Sequence, residues 1–228
     1  MRDYVFYCIP TYKSFEECKA AILALYRSTR IPDQIIVIDN SGTGEGTLAL
    51  TPLANEHNNI YIWPQSYNLG VSKAWNLFHS ELKRDFIIIG NDDVEVHPQT
   101  IERMVETAKA YDGSPMLYGD GHMGNAYSLF LYRHWAFQQY GGFDERFSPA
   151  YFEDNDMWYR LHVLAGHAPL FVDGATYDHA GSSTIKKYND TEMSIHHSSF
   201  RSNEQYYLAK WGGAPHKERY LVPFNGEI

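Results

Sequence analysis

Short apolar runs separated by amphipathic stretches form the pattern of the first half of the chain. Four runs are rich in isoleucine, valine and aromatic side chains, which is typical of strands buried on both faces of a parallel sheet. The runs cover residues 4–9, 34–38, 60–63 and 86–90. Apolar residues at helical spacing predict helices between them, over residues 14–28, 71–82 and 98–110. Strands that alternate with helices predict an α/β domain whose mainly parallel sheet is covered by helices on both faces.

Local signals refine this pattern at three places. Pro10 predicts the end of the first strand. Ser14, with Glu17 three residues later, predicts a capping box at the start of the first helix. The glycine-rich segment 41–47 follows the second strand rather than the first and lacks the G-x-G-x-x-G spacing. We therefore expect a mobile surface loop there and not a dinucleotide site.

The pattern changes after residue 115. Shorter apolar runs predict strands over residues 116–118, 126–132, 170–172 and 176–177. Helical spacing predicts helices over residues 153–164 and 191–211, and Gly141 with Gly142 predicts a turn. Since no repeat, low-complexity segment or linker separates the two parts, we expect one domain, residues 1–228, with halves that meet near residue 115.

Composition and charge exclude several classes of partner. The chain has 228 residues, of which 44% are hydrophobic and 15% aromatic, enough for one sizeable core. The formal net charge of −9 argues against nucleic acid or an anionic membrane as the main partner. No apolar run approaches the roughly 18 residues of a membrane span, and the first strand begins too early for a signal peptide. Cys8 and Cys18 lack metal-ligand spacing, so we expect reduced thiols in a cytoplasmic protein.

A pair of adjacent carboxylates is the strongest signal of chemistry. Asp92 and Asp93 follow the apolar run that ends at Gly90, and ligands bind at the carboxyl ends of strands in open α/β sheets. Two oxygen ligands at that position suit Mg²⁺ or Mn²⁺ carrying a phosphorylated substrate. An ordinary acidic turn is the alternative for this pair alone. A second acidic cluster, residues 153–156, lies about 60 residues later and favours the site.

Seven short motifs follow one another along most of the chain: 9–12 (IPTY), 36–41 (IVIDNS), 68–76 (NLGVSKAWN), 91–93 (NDD), 141–160 (containing GGFDE and EDND), 178–183 (DHAGSS) and 206–212 (YYLAKWG). Taken in order, these seven segments resemble family 2 glycosyltransferases, which have the GT-A fold. Each motif alone is weak, but seven in order are specific. The chain departs from the family at Asn91, which stands where the metal-binding D-x-D motif begins with an acid. Exchange of that carboxylate for an amide weakens metal binding or shifts the nucleotide contact.

The resemblance implies both a fold and an activity. The fold would be a single Rossmann-like domain with a mainly parallel mixed sheet. The activity would be transfer of a sugar, with inversion, from a nucleoside-diphosphate sugar to an acceptor hydroxyl, with UDP favoured as the nucleotide and Mn²⁺ or Mg²⁺ as the cofactor. The half up to about residue 115 would bind the nucleotide and residues 116–228 the acceptor. That acceptor would be a glycan, a lipid-linked intermediate or a protein.

The resemblance also assigns roles to single residues. Asp154 is the general base, with Glu153 as its rival. The metal ligands are Asp93 and His179. The expected nucleotide contacts are Pro10, Thr11, Tyr12, Asp39, Asn68, Lys73 and Asp92. A basic loop that closes over the diphosphate contains Lys186 and Lys187.

Structural roles stay open for several of these residues. Asp39 can equally be a solvated turn residue and Tyr12 a packing residue, and the lysines can simply be exposed. Asp156 and Arg160, four residues apart on the predicted helix, should form a supporting ion pair.

Two other functions stay open at this point. A sugar nucleotidyltransferase requires a glycine-rich basic loop after the first strand, but residues 9–13 contain no glycine. A non-catalytic module that binds sugar nucleotides or glycans is kept open by Asn91. The glycosyltransferase hypothesis requires that Asp93, Asp154 and His179 converge on one cleft at the edge of the sheet.

Overall fold

The computed structural model describes residues 3–120, 123–179, 181 and 184–227. Its strands are β1 (Phe6–Thr11), β2 (Gln34–Asp39), β3 (Ile60–Pro64), β4 (Ile87–Gly90), β5 (Val94–Val96), β6 (Met116–Tyr118), β7 (Leu129–Tyr132), β8 (Leu170–Phe171) and β9 (Tyr177–His179). Its α-helices are α1 (Phe15–Tyr26), α2 (Glu45–Glu56), α3 (Gly70–Leu82), α4 (Thr100–Ala110), α5 (His134–Tyr140), α6 (Glu153–Trp158) and α7 (Asp190–Trp211). Short 3₁₀ or π segments cover Met123–Ser128, Tyr159–Leu164, Ile185–Lys187 and Pro223–Gly226.

The main sheet of the described chain has seven strands in the order β3-β2-β1-β4-β7-β6-β8. The first four are parallel, β7 is antiparallel to both of its neighbours, and β8 is parallel to β6. Strands β5 and β9 form a separate antiparallel pair. The predicted mainly parallel mixed sheet is therefore confirmed, and it joins strands from both halves of the sequence.

Side chains alternate along the central strands between two apolar layers. Tyr7 of β1 lies in the layer that contains Ile22 of α1 and Met104 of α4. Its neighbour Cys8 lies in the opposite layer with Phe78 of α3. Helices thus cover both faces of the sheet, which explains why its central strands are nearly continuous apolar runs.

Two expectations from composition can be compared with the structure. Cys8 in β1 and Cys18 in α1 are fully buried and unpaired, as expected. Within the ranges that the structure describes, no helix combines the length and the apolar character needed to cross a bilayer.

Strand β1 runs through Pro10, where the sequence predicted its end. The backbone N–H of Phe6 donates to Phe86, on the side of β1 that faces β4. By the two-residue alternation of a strand, Pro10 faces the same side. Pairing with β4 ends at Cys8, so the missing N–H of Pro10 removes no hydrogen bond from the sheet.

The predicted loop over residues 41–47 is shorter than expected, because α2 begins inside it. Asp39, at the end of β2, holds the first turn of α2 by accepting hydrogen bonds from the Thr47 backbone N–H (2.6 Å) and hydroxyl (2.7 Å). Gly46 permits this approach, since a Cβ there would lie 2.5 Å from Asp39 Oδ1. The helix was missed because Gly46 and Pro52 both lower helix propensity.

Ser14 and Glu17 do not form the predicted capping box. Ser14 is the N-cap residue of α1, but its hydroxyl lies 2.9 Å from Thr184 Oγ1, and Glu17 forms an ion pair with Lys187. A capping box does form at the start of α7, a helix predicted to within one residue. Strand β5 and helix α5 had no counterpart in the sequence prediction because each is short.

The Tyr7 hydroxyl is buried and has no hydrogen-bond partner among the described residues. A buried hydroxyl without a partner has lost its water without compensation. We expect Tyr7→Phe to leave the free energy of unfolding unchanged or to raise it by about 1 kcal/mol. Urea unfolding measures this change.

Tyr118→Phe is the matched control for Tyr7→Phe. The buried Tyr118 hydroxyl lies 2.7 Å from His162 Nε2, so its loss should lower the free energy of unfolding by about 1–2 kcal/mol. Equal losses of unfolding free energy in Tyr7→Phe and Tyr118→Phe would contradict the conclusion that the Tyr7 hydroxyl lacks a hydrogen-bond partner.

Candidate active site

A cavity of about 380 Å³ opens at the carboxyl ends of β1 and β4. Its walls include residues 10–12, residues 91–93, the segment between 149 and 154, His179 of β9, and parts of residues 184–199. Ligands of open α/β sheets bind at this edge. Three residues that are far apart in sequence, Asp93, Asp154 and His179, line this one cavity, as the sequence analysis required.

Asp93 and His179 are adjacent on the cavity wall, with His179 Nε2 3.0 Å from Asp93 Oδ1. The small β5–β9 sheet brings them together, because His179 pairs with Val94, the residue after Asp93. The other ring nitrogen, Nδ1, lies 3.4 Å from the hydroxyl of Ser128, which fixes the orientation of the imidazole. The pair offers one oxygen and one nitrogen donor.

No group of three or more His, Cys, Asp or Glu side chains is arranged to hold a metal within the described ranges. Two donors nevertheless suit a cation that takes its other ligands from water and substrate phosphates, as Mg²⁺ does at nucleotide sites. A neutral imidazole beside a carboxylate suits Mn²⁺ as well.

Asp92 braces the loop after β1 from within the cavity wall. Its Oδ2 accepts hydrogen bonds from the Thr11 hydroxyl (2.8 Å) and the Tyr12 backbone N–H (3.4 Å). Burial raises the pKa of Asp92 to about 7. The charge of Asp93 also raises this pKa, whereas the hydrogen bond from Thr11 lowers it. Pro10, Thr11, Tyr12 and Asp92 therefore form one edge of the cavity. Their nucleotide contacts stay predictions.

The two candidate bases, Asp154 and Glu153, differ in their surroundings. Asp154 Oδ1 accepts the Asn155 backbone N–H at 2.8 Å, and burial raises the Asp154 pKa above its ordinary 3.8. Glu153 is only 6% exposed, and its Oε2 has no hydrogen-bond partner among the described residues. Burial, with the charge of Asp154, raises the pKa of Glu153 well above 4.5. A base must be deprotonated, so the stronger rise in the pKa of Glu153 makes Asp154 the better candidate.

A buried ion-pair network fixes helix α6, which begins with these two acids. Arg160 Nε donates to Asp156 Oδ2 at 2.9 Å, which confirms the predicted ion pair. Asp156 Oδ1 accepts a hydrogen bond from Trp211 Nε1 at 2.9 Å and lies 2.5 Å from the Lys210 ammonium. Both partners belong to α7. Lys210 also contacts Asp144 at 2.8 Å. The last aspartate of the EDND motif, Asp156, and the aspartate of the GGFDE motif, Asp144, therefore hold α7 against α6.

Two predicted nucleotide contacts do not reach the cavity. The carboxylate of Asp39 accepts hydrogen bonds from Ser41 and Thr47. Burial alone would raise the pKa of Asp39, but these hydrogen bonds lower it below its ordinary value. Asp39 is thus a buried helix anchor, neither a solvated turn residue nor part of the cavity wall. Lys73 Nζ lies 2.7 Å from the Tyr67 hydroxyl, beside a separate depression. In this structure neither residue occupies the position that the sequence assigned to it.

Asn40, which the sequence analysis did not single out, lines the cavity next to the buried Asp39. Its side-chain oxygen accepts the Leu69 backbone N–H at 3.3 Å. Asn68, also on the cavity wall, accepts the Gly70 N–H at 2.9 Å. Gly70 has a φ of +76°, and a Cβ there would lie 2.7 Å from the Pro149 carbonyl oxygen. Much of the N-x-G-x-x-x-A-x-N motif therefore joins α3 to the segment before α6.

Residues 184–192 cover one side of the cavity and are held to the loop after β1. The contacts are Ser14 with Thr184, Glu17 with Lys187, and both Tyr12 and Lys13 with Glu192. Lys186 donates to the carbonyl of Gly181 at 3.0 Å. The predicted closing loop is thus present, but neither of its lysines lines the cavity in this structure. Residues 180, 182 and 183 of the DHAGSS motif lie outside the described residues.

An aromatic wall, formed by Tyr151, His196 and Tyr188, was not predicted as a unit. The Tyr151 and His196 rings are 5.2 Å apart, and the His196 and Tyr188 rings are 5.8 Å apart. Tyr188 continues to Tyr12 at 6.3 Å. No periodic signal marks these residues, because they come from two loops and a helix that meet only in the folded chain.

Four carboxyl groups and no lysine or arginine line the cavity, within the residues that the structure describes. The four are Asp92, Asp93, Glu153 and Asp154. A diphosphate in such a cavity would be repelled unless a cation accompanied it.

Solved structures show the same fold at low sequence identity. Mannosyltransferase PcManGT from Pyrobaculum calidifontis, solved with GDP-Man and Mn²⁺, matches with a TM-score of 0.65 and 13% identity over 94% of this chain and 66% of its own. TarS 1-349 from S. aureus matches with a TM-score of 0.61 and 14% identity over 88% of this chain and 71% of its own. The complex of TarS 1-349 with UDP-GlcNAc matches with a TM-score of 0.60 and 16% identity over 90% of this chain and 66% of its own.

No curated protein sequence matches the chain. The sequence pattern of one family, described as Glycosyl transferase family 2, matches residues 7–164. This match covers more than half of the chain, contains five of the seven segments, from 9–12 to 141–160, and confirms the family resemblance. The chain belongs to glycosyl transferase family 2 and has the GT-A fold of its structural neighbours.

Proposed function

We propose that this chain is an inverting glycosyltransferase that moves a sugar from a nucleoside-diphosphate sugar to an acceptor hydroxyl. One observation carries the proposal: Asp93, His179 and Asp154 line the same cavity at the carboxyl edge of the sheet. The neighbours solved with UDP-GlcNAc and with GDP-Man support a nucleotide-sugar donor. We favour UDP as the nucleotide because of the family resemblance.

The charge of the cavity supports a divalent cation as the cofactor. Asp93 and His179 would hold Mn²⁺ or Mg²⁺, and a bound cation would offset the charge of the departing diphosphate. The chain supplies Thr11, Tyr12 and Asp92 as the edge against which the nucleotide would lie. Asn91, which also lines the cavity, places a neutral amide where the D-x-D motif begins with an acid.

Asp154 would act as the general base. The acceptor oxygen attacks the anomeric carbon, its proton passes to the Asp154 carboxylate, and the bond from that carbon to the diphosphate oxygen breaks with its electron pair on the diphosphate. A single displacement of this kind inverts the anomeric carbon. Segment 184–192 would exclude water from the cavity while this happens.

The remaining predictions are kept as part of this proposal. Residues up to about 115 would bind the donor and residues 116–228 the acceptor, within one domain. The acceptor would be a glycan, a lipid-linked intermediate or a protein. The two buried, unpaired cysteines agree with a reducing, cytoplasm-like compartment.

Nucleotide release tests the proposal directly. Purified chain is incubated with UDP-, GDP- and dTDP-sugars, Mn²⁺ and a panel of glycan acceptors, and free nucleoside diphosphate is measured. We expect release from one nucleotide class, with loss of release in Asp154→Asn. Binding of the sugar nucleotide without release would favour a non-catalytic module. Release of pyrophosphate from a nucleoside triphosphate would favour a nucleotidyltransferase.

The pH dependence of the reaction should reflect the raised pKa of Asp154. A base works only when deprotonated, so kcat/KM should fall as the pH drops through the pKa of this carboxyl in the free enzyme. Burial raises that pKa, so the fall should begin above the range of an ordinary aspartate. The control is binding of nucleoside diphosphate over the same pH range, since binding does not use the base. If binding of nucleoside diphosphate falls over the same pH range as kcat/KM, the fall in kcat/KM would reflect binding and not the base.

A further inference from the structure

The aromatic wall and Glu153 form a second part of the cavity that the transfer chemistry does not use. Tyr151, Tyr188 and His196 present ring surfaces to the cavity, and Ser199 adds a hydroxyl from the next turn of α7. Ligand sites of this kind combine apolar area with a few polar groups that fix orientation. These side chains are partly exposed, so they are open to a ligand.

One carboxyl oxygen of Glu153, Oε2, has no hydrogen-bond partner among the described residues. The Glu153 side chain is nevertheless more than nine-tenths buried and lines the cavity. Buried polar atoms in native proteins are nearly always hydrogen-bonded, so an open one beside a cavity indicates a ligand group. Burial and the charge of Asp154 favour the protonated form of Glu153, and a protonated carboxyl group can both donate a hydrogen bond to a hydroxyl and accept one.

The backbone before Glu153 is strained in a way that builds this part of the cavity. Tyr151 and Phe152 have φ values of +83° and +71°, which side chains other than glycine rarely adopt. The Asn203 side chain of α7 holds the strained turn by donating to the carbonyl of Ala150 at 2.8 Å. Strain of this kind persists where surrounding structure enforces it, commonly at ligand sites. Here it sets the Tyr151 ring beside His196 and begins α6 at Glu153.

We infer that Tyr151, His196, Tyr188 and Glu153 form an acceptor subsite for a neutral carbohydrate. Sugar rings have apolar C–H faces that pack on aromatic rings, and hydroxyls that bond carboxyl and Ser199 hydroxyl groups. An anionic acceptor is disfavoured, because the described lining holds four carboxyl groups and no lysine or arginine. The inference rests on the proposed function and names its substrate class.

The test compares acceptor use in His196→Ala and Tyr188→Ala with wild type. His196 lies on α7 with exposed neighbours, so alanine keeps the helix. Tyr111→Ala is the matched control, since Tyr111 is 59% exposed and lies after α4, outside the cavity lining. The acceptors are cellobiose, lactose, chitobiose and mannobiose, with ribitol 5-phosphate as the anionic probe. Each is assayed with the accepted nucleotide sugar and Mn²⁺.

We expect KM for one neutral disaccharide to rise about tenfold in both cavity variants and not in Tyr111→Ala. Hydrolysis of the donor by water should be unchanged in Tyr111→Ala, because that substitution alters no residue of the cavity lining. An unchanged KM in both cavity variants, or use of ribitol 5-phosphate alone, would overturn the inference.

Saturation-transfer NMR of the same disaccharides with UDP and the diamagnetic Mg²⁺ keeps the test independent of catalysis. Saturation of the sugar ring protons that is seen with wild type and lost in His196→Ala would support the subsite. If no donor is cleaved in the assays but this signal is present, only the proposed function fails. Absence of transfer from every neutral disaccharide overturns the inference.

Discussion

Asp154→Asn should lower the rate of sugar transfer by about 10²–10⁴-fold, the usual contribution of a positioned general base. Asparagine keeps the size of the side chain and can still accept the Asn155 backbone N–H, so the start of α6 should be unchanged. The amide cannot take the acceptor proton. The assay is release of nucleoside diphosphate in the presence of acceptor, with calorimetric binding of the nucleotide as the check that the site is intact.

Glu153→Gln is the comparison that separates the two candidate bases. Burial and the charge of Asp154 raise the pKa of Glu153 and so favour its neutral form. Glutamine resembles that form in size and in its capacity to donate and accept hydrogen bonds, so the loss of rate should stay below about tenfold. A greater loss in Glu153→Gln than in Asp154→Asn would reverse the assignment of the base.

Lys210→Met should lower the free energy of unfolding by about 3–5 kcal/mol, the usual cost of removing one member of a buried ion pair. The lysine side chain is 5% exposed, and its ammonium lies between Asp144 and Asp156. Arg146 and Lys210 hold the pKa of Asp144 well below its ordinary value, although burial opposes them. Methionine fills the same space but leaves two buried carboxylates without this cation. Urea unfolding measures the change.

Lys19→Met is the control for this loss. Lys19 pairs with Glu16 at 2.7 Å on the surface of α1, and exposed pairs of this kind contribute about 0–1 kcal/mol. Similar losses in both variants would show that burial of the Lys210 network has no special energetic role. Because α6 carries the candidate base, we also expect less transfer activity wherever this network is lost.

The sequence predicted the main sheet well because its central strands are buried on both faces. Strand β2 contains four consecutive large apolar residues, Ile35 to Ile38, so its identity as a strand does not depend on distant contacts. Helix α2 and strand β5 were missed for local reasons: one contains Gly46 and Pro52, and the other has three residues. A pattern needs several turns or alternations before its period can be recognised.

The site could be predicted only in part. Asp92 and Asp93 were found from their place at the end of a strand, and His179 required the family resemblance. Asp39 also ends a strand, yet its carboxylate holds the first turn of α2. The sequence cannot separate these roles, because both use an acid at the same position of the sheet. Which one applies depends on whether a helix begins within reach.

The aromatic wall could not be predicted. Tyr151 adopts a left-handed backbone conformation that no residue preference favours, and its partner His196 lies 45 positions later in the sequence. Such contacts arise when α7 folds back over the loop before α6. Only the structure brings them together.

The most direct test of the account is calorimetric titration of UDP, GDP and dTDP, each with and without Mn²⁺, into wild type, Asp93→Ala and Asp178→Ala. Asp178 is the matched control, because it precedes His179 in β9 but its side chain is 83% exposed and outside the cavity lining. We expect one nucleotide to bind at least about tenfold more tightly with Mn²⁺, a gain of about 1.4 kcal/mol or more. That gain should vanish in Asp93→Ala and persist in Asp178→Ala. Equal affinity with and without Mn²⁺ in wild type, or an unchanged gain in Asp93→Ala, would contradict the account.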